Sequence, residues 1–175
     1  MASLRRRIFP PLLFLTLVIM IALNRVGEPL FTSTAPMGII SYEFAGNPQK
    51  ATAVINSWDA NARLHACFSL GLDYAFILVY TTTIALACIW TGEVLANRRW
   101  LLSGLGKPLA WGVCLAGALD AVENLGLVTM LLSGVREPWP VIAAWAAGFK
   151  FALILVSLLF VAYGGVAWLV RRSPS

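Results

Sequence analysis

The sequence predicts an all-α integral membrane protein, a four-transmembrane-helix bundle with an amphipathic surface helix between spans one and two. Three observations carry that reading. Of 175 residues, 59% are hydrophobic and 12% charged, against about 45–50% and ~25% in soluble domains. Four apolar stretches are long enough to cross a bilayer. Between the first two, apolar residues recur at helical spacing. The composition excludes a disordered chain, a nucleic-acid module and a small disulfide scaffold, each of which needs polar or cysteine-rich sequence.

Span one is the shortest. Ile8 to Asn24 gives 17 uncharged residues between Arg7 and Arg25, the lower limit of about 17 for a spanning helix. Arg5-Arg6-Arg7 before an apolar run resembles a secretory signal, yet no small-x-small cleavage site follows Leu23. Pro10-Pro11 starts the run like a helix N-terminus, so 8–24 is expected to be a retained first helix.

The other spans, 64–92, 108–135 and 138–170, contain 29, 28 and 33 residues. They are interrupted only by His65 and Asp73, by Asp120 and Glu123, and by Lys150 respectively. Short connections, Asn97 to Lys107 and Ser133 to Pro140, make spans two to four adjacent antiparallel helices. No internal repeat is evident, and residues 1–175 are expected to form a single membrane domain.

The loop from Arg25 to Arg63 shows no helical period in its first part. From Asn47, a candidate cap, and Pro48, the sequence places Ala51, Val54, Ile55, Trp58 and Ala62 on one face, opposite Gln49, Lys50, Asn56 and Asp59. An amphipathic helix over 48–62 is expected on the outer membrane surface. It serves equally as a lid over the bundle or as a passive connector.

The net charge of +5 comes from dispersed residues and reads as topology. Arg5, Arg6, Arg7, Arg98, Arg99, Lys107, Arg171 and Arg172 fall on one side, against Arg25, Lys50, Arg63 and Arg136 on the other. This places both termini in the cytoplasm, and the absence of an N-x-S/T sequon fits a bacterial inner membrane. Trp90, Trp100, Trp111 and Trp168 then lie near the inner interface, and Trp58, Trp139 and Trp145 near the outer one.

Cys67, Cys88 and Cys114 sit in apolar stretches without metal-ligand spacing and read as packing residues. His65 is the only histidine and reads as an interfacial side chain. No metal site and no cofactor are expected.

Asp73, Asp120, Glu123 and Lys150 are the ionisable residues inside the spans. Each costs about 2.5–3.5 kcal/mol at the centre of a membrane helix, so such groups normally face a bundle interior with partners. Counted from the flanking charges, their depths differ by roughly 9 Å at most at ~1.5 Å per residue. Asp120, Glu123 and Asn124 share a helical face that continues toward Gly117 and Ala116. Lys150 stands with Ala143, Ala146, Ala147 and Ser157, and Asp73 with Ser69 and Tyr80. The candidate ligand- or ion-binding residues are therefore Asp73, Asp120, Glu123, Asn124, Lys150 and Tyr80.

Three carboxyls against one ammonium leave a formal charge of minus two, which a dry interior does not tolerate. Either a carboxyl, most naturally in the Asp120–Glu123 pair, keeps its proton, or a cation, a basic ligand or a side chain such as Arg63 completes the site. A purely structural Lys150 pair accounts for one acid and poorly for three. The acids around Lys150 favour its charged form, so it is expected to act as a counter-ion.

Intramembrane aspartyl proteases pair two aspartates, but their YD and GxGD signatures are replaced here by Leu72-Asp73-Tyr74 and Gly117-Ala118-Leu119-Asp120. No Ser-His or Cys-His arrangement, GxGxxG or P-loop is present. The plan of four spans with a long amphipathic first loop above buried acids is similar to sterol-isomerase and sigma-2-receptor type bundles, in architecture alone. That likeness implies an apolar ligand with a basic or polar head, with Tyr74, Phe76, Tyr80 and Phe149 along its path.

Three functions follow as expectations. The first is a membrane-embedded protein binding a lipid-like or cationic small molecule, with possible acid/base chemistry. The second is a proton- or cation-coupled transporter; four-helix multidrug transporters are similarly small, but their buried glutamate lies in span one, which here is uncharged. The third is an accessory subunit whose charges pair with a membrane-protein partner or with a second copy. Membrane lipids are expected partners and nucleic acid is not.

Overall fold

The computed structural model describes residues 2–170, and among these the ordered elements are helical. They are α1 (Ala2–Val26), α2 (Ile39–Glu43), α3 (Pro48–Ser57), α4 (Ala60–Asn97), α5 (Gly106–Ser133) and α6 (Trp139–Leu169), with single 3₁₀ turns at Glu28–Leu30 and Ser103–Leu105. Four helices are long and apolar enough to cross a membrane. They correspond to the four expected spans and overrun most of their boundaries, because polar residues at helix ends continue the backbone pattern where apolarity has stopped. Arg171 and Arg172, counted toward topology, lie outside the described residues.

Helix α5 packs between α4 and α6, and α4 in turn carries α1 on its other side. The seams have physical causes in small residues. A Cβ on Gly106 would meet the Cys88 carbonyl oxygen at 2.8 Å, and one on Gly92 would meet that of Ser103 at 2.9 Å. Only glycine lets the backbones of α4 and α5 approach so closely. Helix α1 is held more lightly. Its partly buried residues Phe9, Leu12, Thr16, Ile19, Leu23 and Val26 alternate steps of three and four, one stripe against α4. Thr16 and Thr83 share a 3.0 Å hydrogen bond, and Arg5 pairs with Glu93 at 2.7 Å.

Several expectations are corrected. Pro10 and Pro11 lie inside α1 rather than at its start. The carbonyls they leave without an amide donor, at positions 6 and 7, belong to a polar helix end where water can donate to them instead. The first part of the Arg25–Arg63 loop contains the short helix α2, which five residues are too few to announce as a period.

The amphipathic 48–62 segment is two pieces. Helix α3 ends at Ser57, and Asp59 accepts from the Ala62 amide at 2.7 Å, starting α4 as its cap. A capping side chain competes with continued helix and breaks it there. The apolar face of α3 also does not lie on a membrane surface. Ala51, Val54 and Ile55 are buried with Leu30, Leu127, Met130 and Ala143, so α2 and α3 form a cap on the ends of the long helices. Trp58, expected at an interface, is 2% exposed and donates its indole N–H to the Leu30 carbonyl at 2.9 Å. Of the cysteines, Cys88 is buried, Cys67 half-buried, and Cys114 exposed on α5 instead of packed inside.

Candidate functional site: a buried carboxylate–lysine cluster

The face predicted on α5 is buried: Ala116, Gly117, Asp120, Glu123 and Asn124 all point into the bundle. Opposite it, Ala143, Ala146 and Ala147 of α6 are small enough to bring Lys150 into direct contact. Lys150 Nζ donates to Asp120 Oδ1 at 2.6 Å and lies 2.8 Å from Glu123 Oε2. The second contact is close in distance but poorly aligned, and both Glu123 carboxylate oxygens lack a well-formed hydrogen bond although the residue is fully buried. On the other side of Asp120, Tyr80 of α4 donates its hydroxyl to Oδ2 at 2.8 Å. Asp120 is thus satisfied from two helices, whereas Glu123 is not.

Asp73 stands beside this trio. It accepts from Asn124 Nδ2 at 2.6 Å, which ties α4 to α5 one turn above Asp120. All six candidate residues therefore converge, because their helices cross at one level as the flanking charges imply. Arg63 does not complete the cluster; its Nε donates to the Ile55 and Trp58 carbonyls at 3.2 and 3.1 Å, closing the α3–α4 junction.

The cluster contains one acid that sequence reasoning missed. Glu43, at the end of α2, is 8% exposed and brings Oε2 to 3.9 Å from Lys150 Nζ, with no hydrogen-bond partner on that oxygen. Its neighbours direct it inward. Tyr42 donates to the Leu127 carbonyl at 3.1 Å and packs edge-on against Trp58, and Phe44 stacks on Phe151 of α6 with centroids 5.9 Å apart. Flanked by two anchored aromatics, Glu43 projects over the bundle axis. Burial pushes its carboxyl above the ordinary glutamate range; Lys150 opposes the rise and Asp120 adds to it. The available signal was a single acid inside the apolar run Ile39 to Ala45.

Four carboxyls now face one ammonium among the described residues, a formal charge of minus three if all ionise. A cavity of about 410 Å³ opens beside them. Glu43, Asp73 and Asn124 form its polar wall, and Met20, Leu23, Phe31, Met37, Phe76 and Phe151 supply apolar walls from α1, the cap, α4 and α6. Of the aromatic residues expected along a ligand path, Phe76 lines the cavity and Tyr80 backs the cluster. Tyr74 and Phe149 do not reach it. Tyr74 is 39% exposed and donates to the Ala121 carbonyl at 3.3 Å, while Phe149 stacks on Trp145 at the surface. Phe151, two residues on, points the other way and takes the place expected for Phe149.

Such a wall offers hydrogen-bond acceptors and negative charge at one end of an apolar chamber. Compared with protein-family models, with curated proteins and with solved structures, the chain matches none.

Proposed function

We propose that this protein resides in a membrane, with lipid against its apolar flanks, and binds an amphiphile whose cationic head meets Glu43 and Asp73. The observation that carries the reading is that Glu43 and Asp73 line the 410 Å³ cavity beside a cluster with more carboxyls than cations. Asp120 and Glu123 are engaged by Lys150. Glu43 and Asp73 retain acceptor capacity toward the chamber, and an ammonium there would supply the missing positive charge.

Membrane residence is supported by four apolar helices and by large apolar side chains left exposed along them, including Phe14, Leu78, Trp111, Leu115 and Leu159. The excess of basic residues at the end opposite the cap favours a bacterial inner membrane with cytoplasmic termini. The cap then covers the ligand from the outer aqueous side, which gives α2 and α3 the role of a lid. Any acid/base chemistry would use Glu43 or Asp73, the carboxyls within reach of a bound head.

Native mass spectrometry of protein purified in detergent, with dodecylamine and dodecanoate as probes, tests this. Retention of the amine but not of the acid, lost in Glu43→Gln and Asp73→Asn, is expected. Equal retention of both probes, or amine retention that survives both substitutions, overturns it.

A further inference from the structure

Three buried carboxyl oxygens beside Lys150, Glu43 Oε2 and both of Glu123, have no hydrogen-bond donor among the described residues. The other acids are served: Asp120 accepts from Lys150 and Tyr80, and Asp73 accepts from Asn124. Glu43 Oε2 and Glu123 Oε2 approach the same ammonium, at 3.9 and 2.8 Å, and the two carboxyls lie within hydrogen-bonding reach of each other. Two carboxylates so placed repel one another. A single proton between them removes the repulsion and joins an oxygen of each, because a carboxylic acid donates where a carboxylate accepts.

The pair links two parts of the fold. Glu123 belongs to α5 and is fully buried, whereas Glu43 belongs to the cap and also lines the acidic cavity. A cation that enters the cavity therefore meets one member of the pair directly. The charged groups facing Glu43 are Lys150 of α6, Glu123 and Asp120 of α5, and Asp73 of α4; the cavity-lining residues of α1 and the loop after it, among them Asn24 and Phe31, carry no charge. Lys150 is the cation paired with these acids among the described residues, and it is already divided among three of them.

We infer that Glu43 and Glu123 share one proton in the free protein and release it when a cationic head binds, so that the site exchanges a proton for an organic cation. This rests on the reading that the cavity takes such a head. In the exchange the shared O–H bond breaks, its electron pair stays on the carboxylate and the proton passes to water. Glu43 then accepts from an N–H of the head. An opposite charge within about 4–6 Å favours the ionised form of a carboxyl by roughly 10- to 1,000-fold. Head and proton thus compete, each weakening the binding of the other by the same factor.

Dodecylamine tests this with the full chain in nonionic detergent between pH 5 and 8, where an alkylammonium, like a lysine side chain of pKa ~10.4, keeps its charge. Its affinity is expected to rise about tenfold or more across that range. A pH-indicator dye in weakly buffered solution should report up to one proton released per amine bound, after subtraction of protein-free micelles. Glu123→Gln places an amide N–H where the shared proton stood. That variant is expected to bind the amine with an affinity that no longer changes with pH and to release no proton. Infrared difference spectra of the unsubstituted protein read the same event without a variant: adding amine should remove a carboxylic-acid C=O absorption. Amine binding that is flat with pH, releases no proton and leaves the infrared band in place overturns the exchange and leaves the cationic-head reading intact. Proton release that persists in Glu123→Gln overturns the assignment to this pair. No amine binding at any pH overturns both readings.

Discussion

Glu43 places its carboxylate 3.9 Å from the Lys150 ammonium although one residue belongs to a five-residue cap helix and the other to the middle of α6. The cap is thereby coupled electrostatically to the bundle, and the charge of the buried cluster depends on a residue outside the long helices.

Lys150→Met should be strongly destabilising, by about 3–5 kcal/mol, since it leaves buried carboxyls without their cation. Thermal unfolding in detergent measures this. Combining it with Asp120→Asn and Glu123→Gln should restore much of the loss, as the uncompensated charge is then gone; additive losses in the triple variant would contradict the ion-pair account.

Tyr80→Phe removes one donor to Asp120 while Lys150 remains. A loss of about 1–2 kcal/mol is expected from the same unfolding measurement. Its effect should largely vanish in an Asp120→Asn background if the hydroxyl acts through that carboxylate.

The pH dependence of stability should carry the signature of Glu43. Its folded carboxyl titrates above its unfolded value because burial disfavours the anion. Between those two values the folded state holds the extra proton, so stability declines as pH rises through that window. Glu43→Gln cannot lose this proton. The unfolding temperature of the natural protein relative to Glu43→Gln should fall from pH 4 upward; a difference that is flat with pH would exclude such a shift. The groups facing Glu43 are Lys150, Asp120, Glu123 and Asp73.

Gly106→Val should cost about 1–3 kcal/mol or prevent assembly of α4 on α5, because its Cβ would meet the Cys88 carbonyl at 2.8 Å. Gly148→Val, where a Cβ has open space, should stay within about 0.5 kcal/mol. Equal effects in unfolding assays would refute a close backbone seam.

The four long apolar helices, the polar face of α5 and the convergence of Asp73, Asp120, Glu123, Asn124, Lys150 and Tyr80 were legible in the sequence because they follow from local rules. Apolar run length fixes which segments are long helices, the 3.6-residue period fixes which side chains share a face, and the cost of burying charge drives those chains toward each other. The break at Asp59 was legible only in part: the residue is a good cap, but its neighbours continue the apolar period, and capping won. Glu43, the choice of Phe151 over Phe149 and the acidic cavity they line were decided by tertiary structure alone. Each depends on where one helix rests against another, through the Tyr42 and Phe44 anchors and the one-sided packing of α1 on α4, and distances between non-adjacent segments are not encoded in any local spacing.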